Sequence, residues 1–470
     1  MLLNNNAVIK AKPLHFSHTL QPQALFEQFA HQPWAMWLDS CHSEHVDSRY
    51  DIIVWQPEIT VTTINNNTIV DYISEQRLEN SSDDPVTILQ AVQQAFYQKV
   101  EIQVTELPFM TGAVGYFSYD LSRRFEQLPC QADKDINLPE MAVGIYSQAI
   151  IYDNKTQQYS LIADENQLDE IENYLHALIS EKHSRSVESF KLVQQWQGNM
   201  SAEQYQEKFA KIQQYLLSGD CYQINLTQRF SAHYQGEEYQ AYKVLREANQ
   251  APFSAFIRLA DYSILSISPE RFLRVNQNTV QSKPIKGTKP RSSNKAQDHA
   301  LATALQHSEK DKAENLMIVD LLRNDISKVC LPGTVKVPTL FAVESFPAVH
   351  HLVSTVTGEL ESQFDALDLL REAFPGGSIT GAPKIRAMEI IDELEPQRRS
   401  IYCGSIGYIS ACGNMDTSIT IRTLVCDKSG EKNTLHCWAG GGIVADSNVD
   451  AEYQESYDKV NKILPVLAKL

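Results

Sequence analysis

The sequence predicts a mixed α and β protein with a polar pocket in its second half. Short β-like runs such as "YDIIVW", "ITVTTI" and "AVGIYSQAIIYD" are interleaved with helical periodicity, as in "VTILQAVQQAFYQ". The chain has 470 residues, 43% of them hydrophobic, enough for an extensive core in one large domain or a few ordinary ones. Beyond residue 200 three glycine turns, "KPIKGT", "FPGGSITGAPK" and "WAGGGIVADS", fall in one half, where glycine allows positive φ and close approach of backbone to a ligand.

Taken in order, the chain shows no internal repeat and no long low-complexity tract. The polar segment 177–199 is the natural boundary, dividing residues 1–190 from 200–470. After it "SAEQYQEKFAKIQQYLLSGD" reads as an amphipathic helix with Ser201 as N-cap and Gly219 as its stop. Lys and Arg number 41 against 58 Asp and Glu, a net charge of -17, which argues against nucleic acid as a partner. An anionic ligand must then be met by local cations. Eight cysteines include no C-x-x-C pair, so reduced thiols are expected rather than a zinc ribbon. Neither a signal-peptide core nor an apolar run of about 18 residues is present, which points to a soluble cytoplasmic protein without a membrane partner.

The residues that carry chemistry cluster in the second half. Lys286, framed by Pro284 and Gly287, reads as solvated charge, phosphate ligand or nucleophile. Folding "ILSISPERFLRVNQNTVQSKPIKGT" as a hairpin about Gln277 places Glu270 opposite Pro284, two residues from Lys286. That arrangement is either an inert cross-strand ion pair or an acid beside an amine. Ser308 caps a helix on which Asp311 and Glu314 share a face, and Glu452 and Glu455 repeat that spacing on another. Two such helices are either solvated faces or a seat for a hard cation. In "NMDTSITIRTLVC", read as one alternating strand, Thr420 and Arg422 share a face, and Arg422 suits a fork to a carboxylate or a plain surface position. Thr380 is a natural N-cap for "APKIRAMEIIDELEP". A Walker loop is excluded, because Gly381 is followed by Ala382 and Pro383 before Lys384.

These motifs in this order, with "SGDCYQINLTQRF", "SPERF", "AENLMIVDLLRND" and "HHLVSTVTG", resemble the chorismate-utilising enzymes, which include anthranilate, isochorismate, salicylate and aminodeoxychorismate synthases. The resemblance implies an α+β fold, the chorismate-binding-enzyme fold, with two antiparallel sheets packed face to face and helices outside. It implies chorismate and ammonia as substrates and 4-amino-4-deoxychorismate as product, since the anthranilate-forming members carry alanine at the position of Lys286. Lys286 would then be the nucleophile and Glu270 the acid. Magnesium would be held by Glu314 and Glu455, with Glu452 and Asp311 nearby. His351, Thr380, Lys384, Arg422, Gly441 and Gly442 would contact substrate. Gln223 stands where the water-adding members have a lysine base. A tryptophan site would involve Ser40, Asp47, Ser48, Arg49, Tyr50, Pro252, Phe253 and Ser254, with Asp39 where the family motif has glutamate. The ammonia would come from a separate glutamine amidotransferase subunit. Two other readings are anthranilate synthase component I and a non-catalytic amino-acid-binding scaffold.

Overall fold

The computed structural model describes residues 7–16, 20–42, 45–180, 188–345 and 349–470. Residues 181–187 of the expected boundary segment, residues 43–44 beside the expected tryptophan site and the first six residues lie outside them. Among the described residues, 26 strands form two large sheets, one of 14 strands and one of 12, paired almost throughout antiparallel. Strands from both sides of residues 190–200 occur in each sheet. In the larger sheet Met36–Asp39 pairs with Phe253–Arg258, and in the smaller one Gly112–Phe117 pairs with Ser405–Ser410.

Side-chain alternation decides which layer each residue enters. Met36, Ile257 and Val425 of the larger sheet share one buried cluster with Val61, Val143 and Leu273 of the smaller. Their neighbours Trp37, Phe256 and Leu424 point the other way, into a second cluster with Phe26, Leu175 and Leu245 from helices. Helices therefore cover the outer face of the larger sheet, while the two sheets bury their inner faces against each other. The helix Ala202–Ser218 is fixed at its start by a capping box between Ser201 and Gln204 and ended by Gly219 at φ 82°, as expected from the sequence.

Among the described residues, four corners, connections of only two to four residues, carry the chain from one sheet to the other. It crosses at Trp55–Glu58, at Ser147–Gln148, at Pro269–Glu270 and at Thr420–Arg422. The last corner corrects the reading of "NMDTSITIRTLVC" as one strand. Met415–Ile419 belongs to the smaller sheet and Thr423–Asp427 to the larger, with Arg422 at φ 52° between them. Alternation looks the same on either side of such a corner, so it cannot reveal one.

The corners also show a repeat that the sequence does not. Hairpin, corner, hairpin, a third strand, helix, hairpin, corner, hairpin, helix occurs once from Met36 to Ser180, with the short strand Val100–Ile102 added, and again from Phe253 to Asp458, where one added segment between Thr279–Ser282 and Val349–Glu359 carries the helices Lys295–Gln306 and Glu309–Ser327 and another, before Ser405–Ser410, carries Gly381–Ala382 and the helix Lys384–Leu394. Among the described residues, no helix is long and apolar enough to cross a membrane.

Packing at the centre of the smaller sheet is tight enough to be tested. A Cβ at Gly115 would overlap the Ala142 carbonyl oxygen and lie 2.7 Å from the Val143 Cα, both backbone atoms with no freedom to move aside. Gly115→Ala should destabilise the fold by about 1–3 kcal/mol, read as a lower urea midpoint at unchanged slope.

Candidate active site

The turn of the hairpin that carries Glu270 and Lys286 is one residue shorter than expected. Asn276 pairs with Thr279, leaving a two-residue turn of Gln277 and Asn278 at φ 48° and 67°, the positive values a type I′ turn requires. The register therefore moves by one, and the Glu270 carboxylate accepts from the backbone N–H of Ile285. Beyond Ile285 the strand slips by a bulge at Lys286 and Gly287 against Val349–Glu359, with Gly287 at φ 79°. Such a bulge re-aims a side chain. Here Gly287 leaves room for the Asp311 carboxyl, whose Cγ would be 2.8 Å from any Cβ at that position.

Glu270 and Lys286 meet at one residue, Ser378. The Lys286 ammonium donates to the Ser378 carbonyl at 3.1 Å, and the Ser378 hydroxyl donates to Glu270 Oε1 at 3.4 Å. Burial disfavours both ions. It pushes the Glu270 carboxyl up to about 7 against the pull of Lys286, and it holds Lys286 below its usual range, with Lys459 adding to the effect against Glu314 and Glu270.

The two acidic helices converge on this place. Ser308 caps Glu309–Ser327 through the N–H of Asp311, as expected, and sets the face that carries Glu314. Burial raises the Glu314 pKa despite Lys286 and Lys310, with Asp311 and Glu452 adding repulsion. On Val449–Asp458, Glu452 accepts from the Ser447 hydroxyl at 2.7 Å and is raised by burial. Burial also works against ionisation of the half-exposed Glu455, but Lys459 at 2.7 Å outweighs it and keeps that carboxylate below its usual pKa. Lys459 also donates to the Gly440 carbonyl at 2.7 Å. A Cβ at Gly441 would come within 3.1 Å of Glu452 Oε2 and 3.3 Å of Glu455 Oε1, so glycine is what brings the strand Thr434–Ile443 onto these acids. At Gly442 a Cβ would overlap the amide of Gln223, which is fully buried with neither amide atom hydrogen-bonded.

His351 bonds the Thr288 hydroxyl through Nδ1 at 2.9 Å, and burial, reinforced by Arg422, brings its pKa down to about 4. It is therefore neutral near pH 7. Arg422 lies at the sheet corner close enough to feel Glu270. Thr380 is buried, but it is not the helix N-cap. Its hydroxyl donates back to the Gly376 carbonyl at 3.1 Å, and the helix starts at Lys384 behind Pro383 with no side-chain cap. The reason is that Gly381 and Ala382 first pair with Gln223 and Ile224 as a two-residue strand. Lys384 sits apart from the Lys286 cluster. It is bound to Asp325 at 2.7 Å and to the Ala373 carbonyl at 2.9 Å, eleven residues along the helix from Glu314, about 16 Å at ~1.5 Å per residue.

Two members of the cluster were not singled out from the sequence. Lys459 had a readable signal, lying four residues after Glu455 on the same helix face. Ser378 had none, because its role depends on a hydroxyl and a carbonyl that only the folded turn aims at Glu270 and Lys286.

A separate cavity of about 420 Å³ lies between the sheets. Ser40, Asp47, Arg49, Tyr50, Pro252, Phe253 and Ser254 line it, with Ser48 buried beside them. Asp39 lines it as well, its carboxylate held by a salt bridge from Arg246 at 2.6 Å and a hydrogen bond from Tyr242 at 2.8 Å.

Residues 35–465 match the model of the chorismate binding enzyme family. The chain is 54% identical over 447 residues to "Aminodeoxychorismate synthase component 1" of Escherichia coli K12, covering 94% of this chain and 95% of that one. It is 53% identical over 440 residues to the protein of the same name from Klebsiella aerogenes, covering 93% and 95%. Among solved structures it resembles anthranilate synthase component I from Streptococcus pneumoniae TIGR4, with a TM-score of 0.79 at 29% identity over 95% of this chain and 98% of that one.

The Glu270 environment has a measurable consequence for stability. A carboxyl whose folded pKa is about 7 against an ordinary 4.5 binds its proton more tightly when folded, so its contribution is full at low pH and lost as pH rises through 7. Glu270→Gln removes that loss. Its stability relative to the natural protein should grow from pH 5 to pH 8, by up to about 3 kcal/mol, in denaturant titrations across that range.

Proposed function

The chain belongs to the chorismate binding enzymes, and from this we infer that it carries out the reaction named for its relatives, the conversion of chorismate to 4-amino-4-deoxychorismate with ammonia as the second substrate. The observation that carries the reading is the 54% identity over nearly the whole chain to an aminodeoxychorismate synthase component 1, in a sequence that sets Lys286 beside Glu270.

In the mechanism the site supports, neutral Lys286 attacks carbon 2 of the ring. The ring double bonds shift, and the hydroxyl on carbon 4 departs as water with the proton of Glu270. Ammonia then forms a bond to carbon 4, the double bonds shift back, and the carbon–nitrogen bond to Lys286 breaks, returning the amine. Ionised Glu270 regains its proton from the new ammonium group. The enolpyruvyl group is untouched throughout. The depressed pKa of Lys286 and the raised pKa of Glu270 are what this division of roles needs, since each must begin in its uncharged form. Arg422 and Lys459 would meet the substrate's carboxylates, neutral His351 would donate or accept a hydrogen bond, and the Gly441–Gly442 backbone would leave space for the ring.

Magnesium fits the donor set. Glu314, Glu452 and Glu455 offer oxygen ligands, and a divalent cation would offset the burial, and the lesser repulsion from Asp311 and Glu452, that raise Glu314. Among the described residues no three acids or histidines already form a closed metal cluster, so substrate oxygen and water would complete the shell. Bound there, the ion would supply a positive charge against the substrate carboxylate. Ammonia would be delivered by a glutamine amidotransferase partner in a heterodimer, a relation the word "component" in the relatives' names supports. The 420 Å³ cavity, lined by most of the residues matched to the family's tryptophan segments, supports a bound tryptophan there. A cytoplasmic setting agrees with eight cysteines that are all free.

The deciding experiment incubates the purified chain with chorismate, magnesium and an ammonium salt and analyses the product by mass. The natural protein should give an amino product that keeps its enolpyruvyl group, and Lys286→Ala should lower the rate by at least ~10²-fold. Release of pyruvate with anthranilate, or an unimpaired variant, would overturn the reading. Glu314→Gln should raise the magnesium concentration for half-maximal rate by about 10–100-fold in a metal titration of the same assay.

A further inference from the structure

A cavity of about 540 Å³ lies at the other pair of sheet crossings, away from the catalytic cluster, at Trp55–Glu58 and Ser147–Gln148. Strand register makes it the internal counterpart of the catalytic site, residue by residue. The closing pair Ile64 and Asn67 of one hairpin recurs as Asn276 and Thr279 of the other, a step of 212 in each case. The same step takes Pro57-Glu58 to Pro269-Glu270 and Ser74 to Lys286. On the returning strands Ile150 pairs with Ile53 as Leu424 pairs with Leu265, and the step of 274 from Ile150 to Leu424 takes Gln148 to Arg422. The helix Leu168–Ser180 follows its hairpin as Val449–Asp458 follows the equivalent one, and it too sends a glutamate, Glu170, to the cavity.

The comparison separates what was kept from what was changed. The corner acid is kept, and in both places it carries a serine hydroxyl, here Ser147 donating to Glu58 Oε1 at 2.6 Å. Serine stands in the position of Lys286, and an amide in that of the Arg422 guanidinium. No Lys, Arg or His remains among the residues lining the cavity, whereas the catalytic cluster gathers Lys286, Arg422 and Lys459. What remains is an acidic and aromatic pocket, with Trp55 fully buried in its wall and Tyr174 41% exposed at its rim. Its volume falls in the usual range for small-molecule sites.

We propose that this cavity is a second ligand site, which takes a small organic ammonium ion with an apolar body. The ammonium group would lie against Glu58, with Glu170 as a second counter-charge at the entrance. Ile73 and Tyr174 would face the apolar part, with Tyr174 adding cation–π attraction. A dianion such as the substrate of the catalytic site is disfavoured, because two carboxylates repel it and no Lys, Arg or His among the residues lining the cavity offsets them. Burial already raises the Glu58 pKa, so a bound cation would favour its ionised form.

Calorimetric titration with 2-phenylethylamine tests the proposal, with 3-phenylpropionate as the probe of similar body and opposite charge. Saturable binding of the amine is expected in the millimolar range or tighter, without competition from saturating tryptophan or chorismate. Glu58→Gln and Glu170→Gln should each weaken it by about tenfold or more while leaving the melting temperature and the rate on chorismate unchanged. Should Glu58→Gln melt early, Glu170→Gln decides alone, since its side chain lies at the exposed entrance. The proposal fails if the amine does not saturate by about 10 mM, if the carboxylate probe binds equally well, or if Glu170→Gln binds the amine as the natural protein does.

Discussion

The cluster around Glu270 and Lys286 depends on two backbone hydrogen bonds that tie one sheet corner to another. Ile419 N–H donates to the Glu270 carbonyl and Ile267 N–H to the Arg422 carbonyl, each at 3.0 Å. Where the chain leaves one sheet for the other, its backbone loses ladder partners, and an unpaired buried amide or carbonyl is costly. Closing the two corners on each other satisfies those groups. It also fixes an acid and a guanidinium within the hydrophobic sandwich, with Glu270 buried and Arg422 half-buried. The altered proton affinities of Glu270, Lys286 and His351 follow from that placement, because burial is the leading cause of each.

Around the corners, local devices bring the remaining groups to bear. The bulge at Lys286 and Gly287 turns the lysine, Gly441 admits the acidic helix, and Ser378 touches Lys286 and Glu270 together. The deeper support is an ion pair in the core. Arg399, 1% exposed, is held by Glu395 at 2.7 Å and donates to the carbonyls of Ile379 and Asn225. Those carbonyls belong to the turn that carries Ser378 and Thr380 and to the strand that starts at Gln223. A buried charge with every guanidinium nitrogen hydrogen-bonded is a rigid part, and here it ties two walls of the pocket together.

Much of this was legible in the sequence, and what was not has a physical reason. Helix caps at Ser201 and Ser308 were readable because they depend on residues three apart. The neighbourhood of Glu270 and Lys286 was readable from hairpin chemistry, but with the register one residue off, because Gln277 gives little sign of accepting positive φ. The passage of "NMDTSITIRTLVC" from one sheet to the other was hidden, since period-two alternation is the same on both sides. Thr380 lost its cap role because Gly381 and Ala382 found strand partners, a tertiary event. The repeat stayed hidden for a similar reason. Strand register survives when most side chains are exchanged, so Pro57-Glu58 and Pro269-Glu270 are landmarks only after the pairing is known.

The central strand pairs have a consequence for how the protein is made. Each sheet is joined in the middle by strands far apart in sequence, Met36–Asp39 with Phe253–Arg258 and Gly112–Phe117 with Ser405–Ser410. During synthesis at ~5–20 residues per second, Gly112–Phe117 waits roughly 15–60 s for its partner to leave the ribosome. For that interval the first half presents an open sheet edge, buried on both faces in the finished molecule, to whatever else is in the cell. The nascent chain therefore depends on chaperones or on dilution for as long as its second half is being translated, and a truncated product would carry that adhesive edge permanently.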